Sequence, residues 1–422
     1  MNQNEKLGMI KEGVLAAGID IAKYNHSIQP MLHNGTTLGK PFKINNTKIG
    51  FESLLFKLEQ LKQSNRCKEV VIGLEPTGHY WKALSNFLIQ HGYSVFLVNP
   101  YHVKKSKELD DNTQTKSDPK DAKVIGKLIT EGRFFEIYLP TGPWSELRVL
   151  SNNRSQLRTK LNGGLNNIHA VLDEYFPEYE TVFKDITGKA SLQIMISYSM
   201  PEDLKMLGIP GIVAEFKKVV KKGVGQKRAE RLYKAAYDSI GVPANKSIRL
   251  KLRLLVEELH LLTEQITDIE NAMKEQLEAT GISKYILSIP GIGVVTAAGI
   301  LGEIGDPSRF SHWKQIRKLA GFNLVEASSG KHQGRRVISK RGRYALRSFL
   351  YQVAFISVAK NGEFKQLYKH LTKRQQNPLK KKQALIVIAT KLIRVIFTLT
   401  KNKELYDSKK VLGSYREMQL AA

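Results

Sequence analysis

The stretch VLAAGIDIA, residues 14–22, is an apolar run interrupted by a single acid, Asp20. EVVIGLEP at 69–76 is a second such run, ending at Glu75 before a turn-like PTG, and YSVFLVNP at 93–100 is a third. Short apolar runs bounded by turn signals predict buried strands. Between them, FESLLFKLEQLKQ and YWKALSNFLIQHG carry the 3.6-residue period of helices that cover a sheet. Strands alternating with helices predict an α/β first domain with a partly parallel sheet, ending near residue 142.

The chain has 422 residues, enough for two to four domains. Its 66 Lys and Arg against 39 Asp and Glu leave a formal charge of +27, which points to a polyanionic partner, nucleic acid before membrane. The single cysteine, Cys67, excludes an intrachain disulfide or a cysteine-rich zinc site and suits a reducing cytoplasm. No secretory signal is visible at the start. YILSIPGIGVVTAAGILG at 285–302 lacks charge but contains Pro290 and four glycines, and ALIVIATKLIRVIF at 384–397 carries Lys391 and Arg394 at helical spacing. Neither is expected to cross a membrane.

Residues 143–282 are dominated by two long stripes. Leu147, Leu150, Leu157, Leu161, Ile168, Leu172 and Tyr175 form the first, with Arg154 intruding on its seam. Leu252, Leu255, Leu259, Leu262, Ile266, Ile269 and Met273 form the second. Both predict coiled-coil or bundle helices that pair within one chain or across a dimer. Between them, MLGIPGIVAEFKKVVKK faintly echoes the later YILSIPGIGVVTAAGIL, too little for a repeat architecture. Residues 283–422 read as mostly short helices, strongly basic throughout.

Asp20 and Glu75 lie where a buried, unpaired carboxylate is costly, and sites in open α/β sheets gather at the carboxyl ends of strands. In KSDPKDA, 116–122, Asp118 suits a helix N-cap followed by proline, with Asp121 in the first turn. The plain structural account is a capped helix neutralised by neighbouring lysines. Together with Asp20 and Glu75, however, the pair makes an oxygen-rich set. Unit charges 4 Å apart at an effective dielectric near 20 interact by about 4 kcal/mol, so four clustered carboxylates need cations. Oxygen-only ligation favours Mg2+ or Mn2+. Asp110 and Asp111, in a polar loop, are read as solvated.

SIPGIG at 288–293 places Gly291 and Gly293 before a helix of small residues, where backbone N–H groups can meet a phosphate. The pattern is helix-hairpin-helix-like. From Ala327 to Gly362 there is no acid, whereas Lys331, Arg335, Arg336, Lys340, Arg341, Arg343, Arg347 and Lys360 are basic. Six to eight phosphate contacts would cost roughly 10³–10⁵ in affinity between 50 and 200 mM salt. Ser328 and Ser329 sit before Gly330 beside this charge. A serine hydroxyl attacks phosphorus only when activated, so chemistry alone favours ordinary loop serines here.

Taken together, GID at 18–20, EPTGHYW at 75–81, KSDPKDA at 116–122, SIPGIG at 288–293 and SSGKHQGRRVISKRGRYALR at 328–347 resemble the transposases of the insertion-sequence-110 family. These are DEDD recombinases guided by a bridge RNA. The resemblance implies an RNase H-like (RuvC-like) α/β domain over 1–142, a long coiled-coil or helical dimerisation region over 143–282, and a mostly α transposase domain over 283–422. It implies that Asp20, Glu75, Asp118 and Asp121 ligate the metal and that Ser329, with Ser328 as the alternative, is the nucleophile. Double-stranded donor and target DNA, a structured guide RNA, a homodimer or homotetramer and a prokaryotic, nucleoid-associated location follow as expectations. The segment 177–247 is longer than the family pattern leads one to expect. A metal-dependent endonuclease using water and a non-catalytic nucleic-acid scaffold are the competing readings.

Overall fold

A computed structural model describes residues 3–76, 78–111, 118–221, 225–326, 334, 336–410 and 413, without the side chains of 108–111, 118 and 119. The chain divides into two compact units, Met1–Leu139 and Pro140–Ala422.

The first unit runs α1 (Gln3–Met9), β1 (Val14–Ile21), β2 (Asn25–Leu32), β3 (Phe42–Asn45), α2 (Lys48–Ser64), β4 (Glu69–Leu74), α3 (Trp81–Gln90), β5 (Ser94–Val98), α4 (Pro100–Asp111), α5 (Asp118–Thr130) and β6 (Phe134–Glu136). Its six strands form one mixed sheet in the order β3-β2-β1-β4-β5-β6. Strands β1, β4 and β5 are mutually parallel, and the remaining pairs are antiparallel. This is the RNase H-like arrangement. The parallel strands are the three apolar runs of the sequence. Strand β2, NHSIQPML, is as buried as they are, but His26, Ser27 and Gln29 hide it from a hydrophobicity reading.

Alternation along β1 separates two cores. Leu15, Ala17, Ile19 and Ile21 pack with Leu54 and Leu58 of α2 and Leu84 and Leu88 of α3. Val14 and Ala16 pack with Val124, Ile125, Leu128 and Ile129 of α5 on the other side.

The second unit is almost wholly helical: α6 (Gly142–Tyr175), α7 (Tyr179–Val182), α8 (Lys189–Ser197), α9 (Pro201–Val219), α10 (Gln226–Tyr237), α11 (Lys246–Ala279), α12 (Ser283–Leu287), α13 (Val294–Ile304), α14 (Trp313–Leu319), a two-stranded ribbon of β7 (Leu324–Val325) and β8 (Val337–Ile338), then α15 (Tyr344–Lys360), α16 (Gly362–Lys373) and α17 (Lys381–Asn402). The two striped helices pair within the chain and run antiparallel. Leu147 shares a core with Met273 and Leu277, whereas Ile168 and Leu172 share another with Leu252 and Val256. Arg154, the intruder on the first stripe, is answered across the seam by Glu270 at 2.7 Å.

Helices α7 to α10 form a lobe on the far half of this hairpin, around buried Tyr179, Phe176 and Phe216. The Tyr179 hydroxyl donates to the Ser191 carbonyl at 2.9 Å. The faint internal echo separates here, since Gly291 turns with φ +92° whereas the matching Gly211 stays within α9. Helix α17 is long and apolar enough to cross a membrane by length and composition. It nevertheless buries Leu385, Ile388, Leu392, Ile393 and Ile396 in the core shared with α13 and α15. Half-buried Lys391 on it is held below the usual lysine range by desolvation and then by Arg394.

Candidate active site

In the parallel register of β1 and β4, Ile19 pairs with Leu74, so Asp20 and Glu75 follow side by side at the carboxyl ends of the two strands. Alternation puts Asp20 on the face of Ala16 and Gly18, and Glu75 on the face of Val71 and Gly73. That face is the one covered by α5. A side-chain carbon built on Gly18 would lie 2.2 Å from the Ala122 carbonyl oxygen and 2.2 Å from the Gly126 nitrogen. One on Gly73 would lie 2.3 Å from Ile129 Cγ1. Glycine at both positions lets the helix backbone rest on the sheet.

The direction of α5 completes the placement. Gly126 lies against Met31, the partner of Ala16, and Ala122 lies against Gly18. The helix therefore runs back along β1, and its first turn, with Asp121, approaches the end of the strand that bears Asp20. The structure thus brings Asp20, Glu75 and Asp121 to one end of one face. Asp118 opens the same helix, and its side chain lies outside the described residues.

Asp121 is 4% exposed. Its Oδ2 pairs with Lys107 of α4 at 2.5 Å, while Oδ1 is buried with no hydrogen-bond partner among the described residues. Ser27, which faces Asp20 across the β1–β2 pair, likewise keeps a buried Oγ with no hydrogen-bond partner among the described residues. Orphaned buried oxygens cost about 1–3 kcal/mol each and mark a place for something more. Carboxylate and hydroxyl oxygens are hard donors of the kind that suit Mg2+ or Mn2+. Among the described residues, no three His, Cys, Asp or Glu side chains converge closely enough to hold an ion by themselves.

Sequence reasoning missed Lys107 and Ser27. The lysine is signalled only by where α4 crosses α5, and the serine only by its register against Asp20. On the opposite face, His26 is fully buried against Phe51, and desolvation holds its pKa below the usual histidine value. Tyr80 and Trp81 pack on that apolar side, whereas His79 is exposed.

In the second unit, β7 and β8 pair Leu324 with Ile338 and Val325 with Val337. In the chain, these two strands flank the SSG segment. Ser328, Ser329, Lys331 and Arg335 lie outside the described residues. Of the remaining basic positions, exposed Lys360 ends α15, and the others divide into two sets. Arg336, Lys340 and Arg341 are exposed, with Arg336 Nε donating to Glu326 at 2.7 Å. Arg343 and Arg347 are engaged within the fold: Arg343 donates to the Glu303 carbonyl, with the Glu303 carboxylate 3.5 Å away, and Arg347 donates to the Ala320 carbonyl at 2.9 Å. Arg343 thereby fastens the start of α15 to α13, and Arg347 fastens its first turn to the end of α14. Burial pushes the Glu303 carboxyl above the usual range, although Arg148 opposes the shift.

The Gly291 turn is docked from below. A side-chain carbon there would meet Ile356 at 3.0 Å, and Ser357 Oγ donates to the Pro290 carbonyl at 3.0 Å. Gly293 is the exposed N-cap of α13, with open space where a side chain would stand.

A mixed sheet of this order, with acids at its carboxyl end and a helical remainder, defines a nuclease-like phosphoryl-transfer fold. Two family profiles match the chain: a DEDD transposase profile over residues 17–177 and a transposase profile of the IS116/IS110/IS902 family over 283–369. The chain belongs to the IS110/IS116 family of transposases and is a DNA phosphoryl-transfer enzyme, and its DEDD domain implies a divalent metal. It is 23% identical over 390 residues to an uncharacterised protein of insertion element IS116 from Streptomyces clavuligerus, covering 92% of this chain and 95% of that one. It is 29% identical over 143 residues to the transposase of element IS1111A from Coxiella burnetii, 34% of this chain and 38% of that one. A pilin gene-inverting protein from Moraxella bovis is 22% identical over 394 residues, 93% of this chain and 97% of that one.

Proposed function

We propose that the chain cuts and exchanges DNA strands through a serine nucleophile, with a DEDD domain to residue 142, a dimerising helical region over 143–282 and a serine domain over 283–422. The reading rests above all on Asp121, whose buried Oδ1 has no hydrogen-bond partner among the described residues and stands in the first turn of a helix seated on the strand that bears Asp20. Asp20, Glu75, Asp118 and Asp121 would hold a divalent ion, Mg2+ or Mn2+. Such an ion supplies charge neutralisation to a phosphodiester under attack.

The hydroxyl of Ser329, or of Ser328, forms a bond to phosphorus as the bond to the DNA 3′ oxygen breaks, and the serine proton ends on that oxygen. Exposed Arg336 and Arg341, close to these serines in the sequence, would supply positive charge. One phosphodiester is exchanged for another, so no nucleotide is consumed, in keeping with the absence of a GxxxxGK[ST] loop in the sequence. The freed 3′ hydroxyl then attacks the phosphorus of a second phosphoserine link; the bond from that phosphorus to the serine oxygen breaks, and the hydroxyl proton ends on the serine. A structured guide RNA that selects donor and target DNA, and a homodimer or homotetramer, fit the charge of +27 and the membership of the family.

Incubation with DNA and Mg2+ followed by denaturation in SDS tests the reading. The expected result is a DNA adduct on the protein that is lost in Ser329→Ala or Ser328→Ala. Free cleavage products that persist in both variants would mean that water, not serine, attacks.

A further inference from the structure

The sequence GVGQKRAERLYKAAY at 223–237 repeats the spacing of GIGVVTAAGILGEIG at 291–305. Counting from the second glycine, alanine falls at the fourth position in both (Ala229, Ala297). A further apolar residue falls at the seventh (Leu232, Ile300), and another at the eleventh (Ala236, Ile304). All six are buried. Gly225 and Gly293 both cap their helices with extended backbone, and a side chain at either would meet open space. The lobe therefore carries a second start of the same kind.

The two differ in what surrounds them. Val294, Val295 and Thr296 open α13, which then sinks into the core with eight of its eleven residues buried. Gln226, Lys227 and Arg228 open α10, of whose twelve residues only Ala229, Leu232 and Ala236 are buried. Beside α10 is a cleft of about 480 Å3 lined by Lys184, Lys189, Arg228 and Arg231. The Arg228 guanidinium lies 5.7 Å over the Phe183 ring, and Arg231 donates to the Thr181 carbonyl at 2.8 Å. These contacts hold the two guanidinium groups at the cleft, with one of five donors used in the second case. Asp185 also lines it, but its carboxylate accepts from the Thr187 amide at 2.9 Å and the Thr187 hydroxyl at 2.6 Å.

We propose that this cleft and the first turns of α10 form a separate contact for the phosphate backbone of duplex DNA, made without reading its sequence. Four cations around a concave surface suit successive phosphates, and flanking Lys221 and Lys227 extend the charge. The surface lies in residues 178–282, between the two profile matches. DNA is chosen over RNA because the family acts on DNA.

Fluorescence anisotropy of the full chain on a DNA duplex of arbitrary sequence, in EDTA and across about 50–200 mM salt, tests this without strand cleavage. Lys184 and Lys189 are exposed and face the cleft, so K184E/K189E keeps the fold. It should reduce the slope of log affinity against log salt by about 2, near 0.9 per lost phosphate contact. R228A/R231A should do the same, with R228K/R231K restoring the slope. The control K23E/K48E makes the same change in net charge on the first unit and should leave the slope nearly intact. The proposal is overturned if K184E/K189E leaves the slope unchanged, if the control lowers it equally, or if only a duplex RNA probe responds.

Discussion

On β1, Leu15, Ala17, Ile19 and Ile21 turn bulk toward α2 and α3, whereas Val14, Ala16 and Gly18 lose bulk step by step along the other face up to Asp20. The first set makes an apolar core whose value is the surface it removes from water. The second makes a ramp. Shrinking side chains let α5 settle backbone-first on the strand, and the ramp ends in a carboxylate where the helix begins. One strand thus serves stability on one side and placement of chemical groups on the other.

Substitutions on the two faces should separate these roles. Asp20→Asn, at the end of the ramp, is expected to lower DNA strand cleavage by about 10³-fold, the equivalent of several kcal/mol of lost charge stabilisation, with little change in melting temperature. Retained cleavage would break the comparison. Ile72→Ala, on the apolar face, should cost about 2–5 kcal/mol in urea unfolding, while each folded molecule cleaves at the original rate. Gly18→Ala should move both readouts, because its new carbon meets the α5 backbone at 2.2 Å. About 1–3 kcal/mol of stability is expected to go, together with cleavage, and a loss of stability alone would show that α5 need not sit so close.

The smallest effect is a pH dependence from His26 on the apolar side. Its folded-state pKa lies below its ordinary 6.5, so the unfolded chain binds the proton more readily. The stability it contributes is complete above pH 6.5 and is lost as the pH falls from there through the lowered value. Unfolding midpoints measured across that range should flatten in His26→Leu.

The sequence shows the ramp and the core unequally. Apolar runs disclose β1, β4 and β5, and the heptad-like stripes disclose α6 and α11, because burial on one side leaves a period in the chain. Strand β2 leaves none, since its buried residues include a histidine, a serine and a glutamine. Asp20 and Glu75 stand out as acids in apolar strands, but their common face depends on strand register, and the approach of Asp121 depends on two glycines of ordinary appearance. Lys107 reaches Asp121 only because α4 returns beside α5. Arg343 and Arg347 read as phosphate-facing cations from their surroundings in the chain, and only the folded backbone reveals the carbonyls they bind.

At the far end of the α6–α11 hairpin, the Val242 amide donates to the Glu174 carbonyl at 3.0 Å. The chain consequently leaves and re-enters the hairpin through a single doorway, with the whole lobe hung outside it. A module attached in this way can be lengthened, pruned or exchanged during evolution while the two long helices keep their register.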